Sequence, residues 1–272
     1  MKVTRIAALM FAGAVINAEA DGFIDEWFGL ATRSQFEQPH WIAPLVTVTP
    51  RLEQEVRFDY LQEHLSSGQN VYNYGNGKGI EIIPSENTEV LFNVPPYMQH
   101  QGASGENGFG DLSATLKYRF LSANEQNGNY IVTGLLGVSL PTGEPPNGGQ
   151  ALTVMPTIAV GKGFKSFDVQ STLSMQFPVD RIERIGRTLS WNTAFQYYLP
   201  YDLWPEIEVN LSHFVGGPHA NRTQALITPG LVLGKFVIHH RLGIVVGAGY
   251  QVAVTEFRTD DNAVIATARM PF

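Results

Sequence analysis

Charged side chains recur at every second position in several short stretches of this sequence. Glu53, Glu55, Arg57 and Asp59 lie on one face of such a stretch, opposite Leu52, Val56, Phe58 and Tyr60, and later stretches repeat the spacing. Because side chains alternate across a β-strand, each stretch predicts a strand with one charged and one apolar face. The charged positions with this placement are Glu53, Glu55, Arg57, Asp59, Asp111, Lys117, Arg119, Asp168, Glu206, Glu208 and Arg269.

These charges could do two kinds of chemistry on the polar face of a sheet. Opposite charges on neighbouring strands can pair with one another, which would satisfy them in a partly wet interior. Acids and bases that line one passage could instead set up a transverse field that guides a polar or zwitterionic solute. Arg269 lies in the last stretch and is expected beside the first stretch if the sheet closes.

Catalytic and metal chemistry find weaker support. Ser212 and His213 are adjacent, so a strand would point them to opposite faces and prevent a direct nucleophile–base pair. Ser190 has no histidine clearly placed beside it. His239 and His240 fall in a predicted turn, whereas a metal site usually draws on three or four convergent ligands. We therefore predict no catalytic residue, no metal site, no cofactor and no enzymatic activity.

The elements that must position these charges form an all-β fold of about twelve strands. The stretches Leu52–Leu61 and Gly110–Leu121 show the two-residue rhythm most clearly, and a helix would mix the two sets of residues on every face. The connections alternate between short turns and longer loops rich in Gly, Asn and charge, as in a barrel with both termini in the periplasm. The pattern predicts a transmembrane, antiparallel, up-and-down β-barrel.

The N-terminus predicts export. Lys2 and Arg5 precede an apolar run over Ile6–Ala18, and Ala18-Glu19-Ala20 has the small-x-small cleavage pattern of a signal peptide. The remaining 252 residues contain no cysteine, so stability must come from hydrogen bonds and packing. They carry 16 basic and 24 acidic residues, a net charge of −8 that argues against a nucleic-acid partner.

The C-terminal stretch predicts assembly into an outer membrane. Apolar residues alternate along residues 264–272, and the stretch ends on Phe272, which resembles the C-terminal assembly signal of outer-membrane proteins. Aromatic residues fall near both ends of the apolar faces, as two interface girdles would. We expect the outer membrane of a Gram-negative bacterium, with outer-membrane lipids and the barrel-assembly machinery as partners, the latter through this strand.

Residues 21–50 do not show the strand rhythm. Phe23, Ile24, Trp27 and Phe28 could form one or two amphipathic helical turns at the membrane edge. Equally, the segment could be a loose periplasmic extension or could fold back into the barrel. The expected plan is a signal peptide at 1–20, a periplasmic N-terminal extension at 21–50 and the barrel at 51–272.

Two groups of motifs resemble a known family. Gly108-Phe109-Gly110-Asp111-Leu112 is followed by Leu116-Lys117-Tyr118-Arg119-Phe120-Leu121, and Gly137-Val138-Ser139-Leu140-Pro141-Thr142-Gly143 comes later. In this order and spacing they are similar to the outer-membrane transporters named after the MetA pathway of phenol degradation. The resemblance covers residues 50–272 and implies a barrel that moves small hydrophobic or aromatic compounds. It implies no particular binding residues.

A passive channel or transporter for small solutes is the expected function, with hydrophobic or aromatic solutes as the class that the resemblance implies. A barrel of about twelve strands has a narrow interior, so its inward residues would control passage. Two alternatives stay open: a structural or adhesive barrel with a plugged lumen, and an outer-membrane enzyme that acts on lipids.

Overall fold

The computed structural model describes residues 22–102 and 105–272, so the predicted signal peptide lies outside the described residues. Helix α1 covers residues 22–36, and a short helix α2 covers Ile182–Ile185. The strands are β1 (Glu55–Leu65), β2 (Asn70–Gly75), β3 (Gly79–Ser85), β4 (Thr88–Asn93), β5 (Tyr97–Gln101), β6 (Gly108–Phe109), β7 (Leu112–Ala123), β8 (Tyr130–Leu140), β9 (Thr153–Phe164), β10 (Phe167–Pro178), β11 (Thr188–Tyr197), β12 (Leu203–Phe214), β13 (Arg222–His239), β14 (Leu242–Ala253) and β15 (Asp260–Pro271).

The sheet closes on itself as an antiparallel barrel. The first strand β1 pairs with the last strand β15 from Glu55 opposite Pro271 to Leu65 opposite Asp260. Three pairs of segments, β2 with β3, β4 with β5, and β6 with β7, each take the place of one strand in the wall. The wall therefore has twelve strands, and the predicted transmembrane up-and-down barrel is confirmed.

The three interrupted strands lie side by side. Their breaks fall at residues 76–78, 94–96 and 110–111, and backbone hydrogen bonds still link them, from Val94 N to Lys78 O at 3.1 Å and from Gly110 N to Pro96 O at 2.7 Å. The breaks follow from local chemistry, because proline at 95 and 96 offers no N–H to a ladder. The alternating pattern is correspondingly weak in this part of the sequence.

Short turns lie at one rim and longer connections lie, on average, at the other, which places the short turns in the periplasm. Two predicted turns begin too early: β9 continues to Phe164 through most of the turn predicted at residues 161–165, and β13 shows the larger difference. The sequence pattern predicts a turn at residues 235–239, but β13 continues to His239 and the chain reverses at 240–241, with His240 at a φ of 48°. The difference arises from register shifts between Leu233 and Phe236 and between Val237 and His239, which let the strand bend and continue.

Apolar side chains cover the outside of the wall. Leu116 is 47% exposed and Phe120 56%, whereas Lys117 and Arg119, on the other face of β7, are buried. A row of rings crosses the outer half of the wall, with centroids 5.4 Å apart for Tyr60–Tyr74, 6.4 Å for Tyr74–Tyr97 and 5.2 Å for Tyr97–Phe109. This surface suits contact with lipid. Separately, no helix among the described residues is long and apolar enough to cross a membrane.

Residues 22–54 precede the first strand and use the barrel as their support. Helix α1 lies at the periplasmic rim, where Trp27 Nε1 donates to Ile83 O at 2.8 Å and Ser34 Oγ donates to Glu86 O at 2.7 Å. Residues 38–54, called here the plug segment, then run inside the barrel. Residues 22–54 thus form a helix at the rim followed by a segment inside the barrel.

The difference between the two faces of β7 can be tested by placing the same charge on each. We expect Leu116→Arg to lower the free energy of unfolding by about 2–4 kcal/mol, because arginine would face hydrocarbon. Thr115→Arg, one residue away and lining the bore, should cost much less. Urea unfolding of both variants in lipid vesicles measures the difference, and equal losses would contradict the assignment of faces.

Candidate functional site

The sequence predicts eleven charged side chains on the inward face of the wall. Ten of the eleven are more than nine-tenths buried: Glu53, Glu55, Arg57, Asp59, Lys117, Arg119, Asp168, Glu206, Glu208 and Arg269. The eleventh, Asp111, is half-buried. Glu53 precedes β1 and belongs to the plug segment rather than to a strand. The charges are buried because the plug segment fills much of the bore.

Leu45 fixes the middle of the plug segment by packing against glycines of the wall. A methyl group added at Gly230, Gly247 or Gly249 would lie 2.5 to 2.9 Å from the Leu45 methyl carbons, closer than carbon atoms approach. Glycine at these inward positions therefore leaves room for the leucine side chain. In the sequence, the small-residue face of β14 is visible, but nothing there indicates what fills the space.

Trp41 is held in a similar way at the periplasmic end of the bore. A Cβ at Gly161 would lie 2.5 Å from Trp41 Cζ3, and one at Gly163 would lie 2.7 Å from its Nε1. Trp41 and Leu45 join a buried apolar cluster with residues of the wall, including Ile131 and Val232. Apolar packing inside the barrel thus anchors the plug segment at two points.

Two wall glutamates bind the backbone N–H groups of the plug segment. Glu206 Oε1 accepts from Leu45 N at 3.0 Å, while Glu208 accepts from Val46 N at 2.7 Å and from Thr47 N at 2.5 Å. Both side chains come from β12, two residues apart and therefore on the same face. Consecutive N–H donors matched to carboxylates form charge-assisted hydrogen bonds, which are stronger than neutral ones.

Two wall arginines bind the carbonyl groups of the same stretch. Arg269 donates to Ala43 O at 2.5 Å and to Pro44 O at 2.8 Å, and Arg57 donates to Leu45 O at 2.7 Å. The wall therefore binds the plug segment mainly through its backbone. This arrangement satisfies polar groups that would otherwise be costly to bury.

Most other inward charges pair with each other, and two glutamates that the sequence analysis missed take part. Lys117 Nζ lies 2.9 Å from Glu89 and 3.9 Å from Glu81. Arg57 binds Asp59 at 2.8 Å within β1. Arg269 of β15 lies beside β1, as expected, but its direct cross-strand neighbour is Arg57, which carries the same charge. Glu81 and Glu89 were missed because β3 and β4 have the weakest alternating pattern.

Three predicted charges have distinct local partners. Arg119 binds Ser34 O at 2.6 Å and Glu86 O at 2.8 Å, which ties the end of α1 to the wall. Asp111 accepts from Gly143 N and Gly149 N, both at 2.8 Å, and so holds an outer loop. Asp168 accepts from Gln170 at 3.1 Å.

The plug segment leaves two cavities in the bore. The outer cavity has a volume of about 300 Å³ and is lined by apolar residues such as Leu135 and Met155 together with polar residues such as Thr115 and Asn192. The inner cavity, of about 320 Å³, opens among Trp204, Lys235 and Pro271 near the periplasmic rim. Both are at the lower end of the size range of small-molecule pockets.

The residues considered for catalysis do not form a reactive pair. Ser212 Oγ contacts Ser190 Oγ at 3.5 Å, while His213 Nδ1 contacts Thr223 Oγ1 at 2.9 Å. Within residues 22–102 and 105–272, no group of three or more His, Cys, Asp and Glu side chains is placed to hold a metal ion.

Comparison with known proteins gives the family. The model of the family described as "Putative MetA-pathway of phenol degradation" matches residues 57–259, well over half of the chain. The chain belongs to this family. The resemblance drawn from residues 108–121 and 137–143 is thereby confirmed. None of the curated proteins matches the chain.

A solved structure has a similar fold. An outer-membrane channel of the COG4313 group from Pseudomonas putida F1 is similar with a TM-score of 0.57 and 14% identity, over 85% of this chain and 100% of that one. The KdgM porin is similar with a TM-score of 0.45 and 13% identity, over 80% of this chain and 99% of that one. The fold of this chain is therefore that of the outer-membrane channel from Pseudomonas putida F1.

The backbone contacts of Glu208 can be tested by removing its charge. Glu208→Gln replaces one acceptor oxygen by an N–H₂ group that faces N–H donors, so the plug segment should loosen locally. The loss of about 1.5–3 kcal/mol predicts roughly 10- to 100-fold faster hydrogen exchange at the amides of Val46 and Thr47. Glu183→Gln in the exposed helix α2 is the matched control. Unchanged exchange at both amides would contradict the role assigned to Glu208.

A contact outside the membrane should make the entry of the plug segment sensitive to acid. Glu125 accepts from His40 N at 2.6 Å and contacts His40 Nδ1 at 2.7 Å. Partial burial alone would raise the pKa of the Glu125 carboxyl group. The hydrogen bonds with His40 outweigh this effect and hold the pKa of Glu125 below its ordinary value. The stabilisation is present above that ordinary value and is lost as the pH falls through the lowered pKa.

We therefore expect hydrogen exchange at the His40 amide, corrected for the intrinsic pH dependence, to accelerate as the pH drops below about 4.3. In Glu125→Gln the same amide should exchange faster at neutral pH and show no such acid step. An acid step of equal size in both proteins would show that another group is responsible.

Proposed function

We propose that this protein is a passive channel for small solutes and that displacement of the plug segment widens its bore. The observation that carries this proposal is the way the plug segment is held between two solute-sized cavities: by hydrogen bonds and packing against side chains of the wall, with no covalent cross-link to the wall among the described residues. A segment bound only by hydrogen bonds and packing can leave and return, whereas a core built into the wall could not.

Small hydrophobic or aromatic compounds are the solute class that we propose. The support is the family description, which refers to phenol degradation. The outer cavity combines an apolar lining with hydroxyl and amide groups of Thr115, Thr157, Ser174 and Asn192, a mixture that favours aromatic compounds with a hydroxyl group over fully apolar ones.

The membrane partners follow from the outside of the barrel and from its last strand. Outer-membrane lipids contact the apolar outer face. We propose that the barrel-assembly machinery recognises β15 with its terminal Phe272, whose backbone N donates to Gln54 O at 3.0 Å. The same hydrogen bond ties the C-terminus to the last residue of the plug segment, so strand closure and plug insertion are expected to occur together.

A plugged structural barrel is the second candidate, and the tight packing of Leu45 favours it. The two functions differ in what happens when that packing is weakened. A lipid-acting enzyme has no such support, because the serine and histidine side chains considered for it do not meet.

The channel proposal is tested by Leu45→Ala. Removing the leucine side chain from its packing against Gly230, Gly247 and Gly249 should lower the stability of the plugged state by about 2–5 kcal/mol. We expect liposomes that contain the variant to swell faster than wild type in a pentose solution, and a phenyl glycoside to enter faster than an aliphatic glycoside of similar size. Leu116→Ala on the lipid face is the matched control. Equal, negligible swelling for all three proteins would favour the plugged structural barrel.

A further inference from the structure

Two carboxylates of the wall face each other directly in the bore. Glu55 of β1 is the cross-strand partner of Glu81 of β3, and both are buried on the inward face. Like charges directly opposite each other destabilise a sheet unless something positive compensates them. The neighbouring like-charge pair, Arg57 opposite Arg269, is compensated, because both arginines bind carbonyl groups of the plug segment.

The cations around Glu55 have other partners. Arg51 lies 3.0 Å from Glu53, and Lys117 lies between Glu89 and Glu81. Arg57 binds Asp59, and Arg269 binds the plug segment. Lys78 and Lys235 line the outer and the inner cavity respectively, and neither forms an ion pair within the described part of the chain.

Glu55 itself is left without a partner. It is 4% exposed, its Oε1 has no hydrogen bond, and among the eleven predicted inward charges it alone has neither a hydrogen bond nor an ion pair in the described residues. It also lines both cavities. The linings of the two cavities have Ala43, Glu53 and Glu55 in common, and this position between the cavities is called here the neck.

We propose that Glu55, assisted by Glu81, binds a small monovalent cation at the neck between the two cavities and thereby makes the plugged channel selective for cations. This rests on the proposed channel function and adds a charge preference to it. A buried carboxylate without a partner favours an ion that supplies the missing positive charge.

The chemistry of the site points to a cation that presents hydrogen-bond donors, either the water molecules of its hydration shell or its own N–H groups. Three carboxylates do not converge closely enough to strip and hold a metal ion, as the absence of any such group among the described residues indicates. A hydrated alkali ion or an ammonium group can instead donate a hydrogen bond to one carboxylate while the second adds through-space attraction. The site would accordingly favour cationic over anionic solutes.

Reversal potentials in planar bilayers test this with KCl gradients and, separately, with ammonium chloride gradients. We expect wild type to prefer the cation in both salts. Glu55→Gln should reduce the ratio of cation to chloride permeability about threefold or more, because a carboxylate in a narrow, low-dielectric passage focuses the local field. Glu81→Gln should act in the same direction, and Glu55→Asp should retain the preference.

The control is Glu256→Gln, which removes the same charge from an exposed outer loop. Heat-modifiable gel mobility shows whether each variant is folded. If Glu55→Gln does not fold, the permeability ratio of Glu81→Gln tests the site instead. No wild-type ion current, no cation preference, or equal shifts in Glu55→Gln and Glu256→Gln would each overturn the site. If liposomes still swell in neutral solutes while any of these results is obtained, the proposed cation site is wrong but the proposed channel function stands.

Discussion

The need to satisfy charged groups in a narrow bore governs the rest of this structure. Twelve strands enclose too little space for a wide water column, and the inner faces of β1, β7, β12 and β15 carry carboxylates, ammonium and guanidinium groups. Burying such groups without partners would cost several kcal/mol each. The peptide backbone of the plug segment supplies donors for the glutamates and acceptors for the arginines, so a single chain segment compensates both signs.

Helix α1 and the plug segment have complementary tasks in this arrangement. The helix is tied to the periplasmic rim by hydrogen bonds from Trp27 and Ser34 and by the cationic contact of Arg241 with the ring of Phe28, 4.9 Å away. It thereby shortens the free length of chain that leads into the bore. A plug held at both ends loses less conformational entropy when it inserts than a free terminus would.

The sequence predicts the wall well because a strand needs only a two-residue period to define its faces. Lys117 and Leu116 illustrate this, since neighbouring positions of opposite polarity leave one orientation in a bilayer. The plug segment has no such period, and its contacts are made with backbone groups that every residue carries. Its docking sites are marked instead by glycines such as Gly161 and Gly249, and a glycine on an inward face can equally indicate a bend or a bulge. Glu81 and Glu89 escaped prediction because proline at 95 and 96 and the adjacent breaks disturb the rhythm that would have assigned them.

The glutamates of β12 bind backbone N–H groups of the plug segment, and this affects which sequence changes the segment can accept during evolution. Glu208 contacts N–H groups at positions 46 and 47, and the hydroxyl of Thr47 makes no hydrogen bond in the described residues. Position 47 is buried, so other side chains of similar size can occupy it without altering these hydrogen bonds. Proline is the exception, since it alone lacks the hydrogen that the carboxylate accepts. The acids and bases of the wall thus constrain the backbone of positions 43–47 more than their side chains, while the packed Trp41 and Leu45 are constrained by their shape.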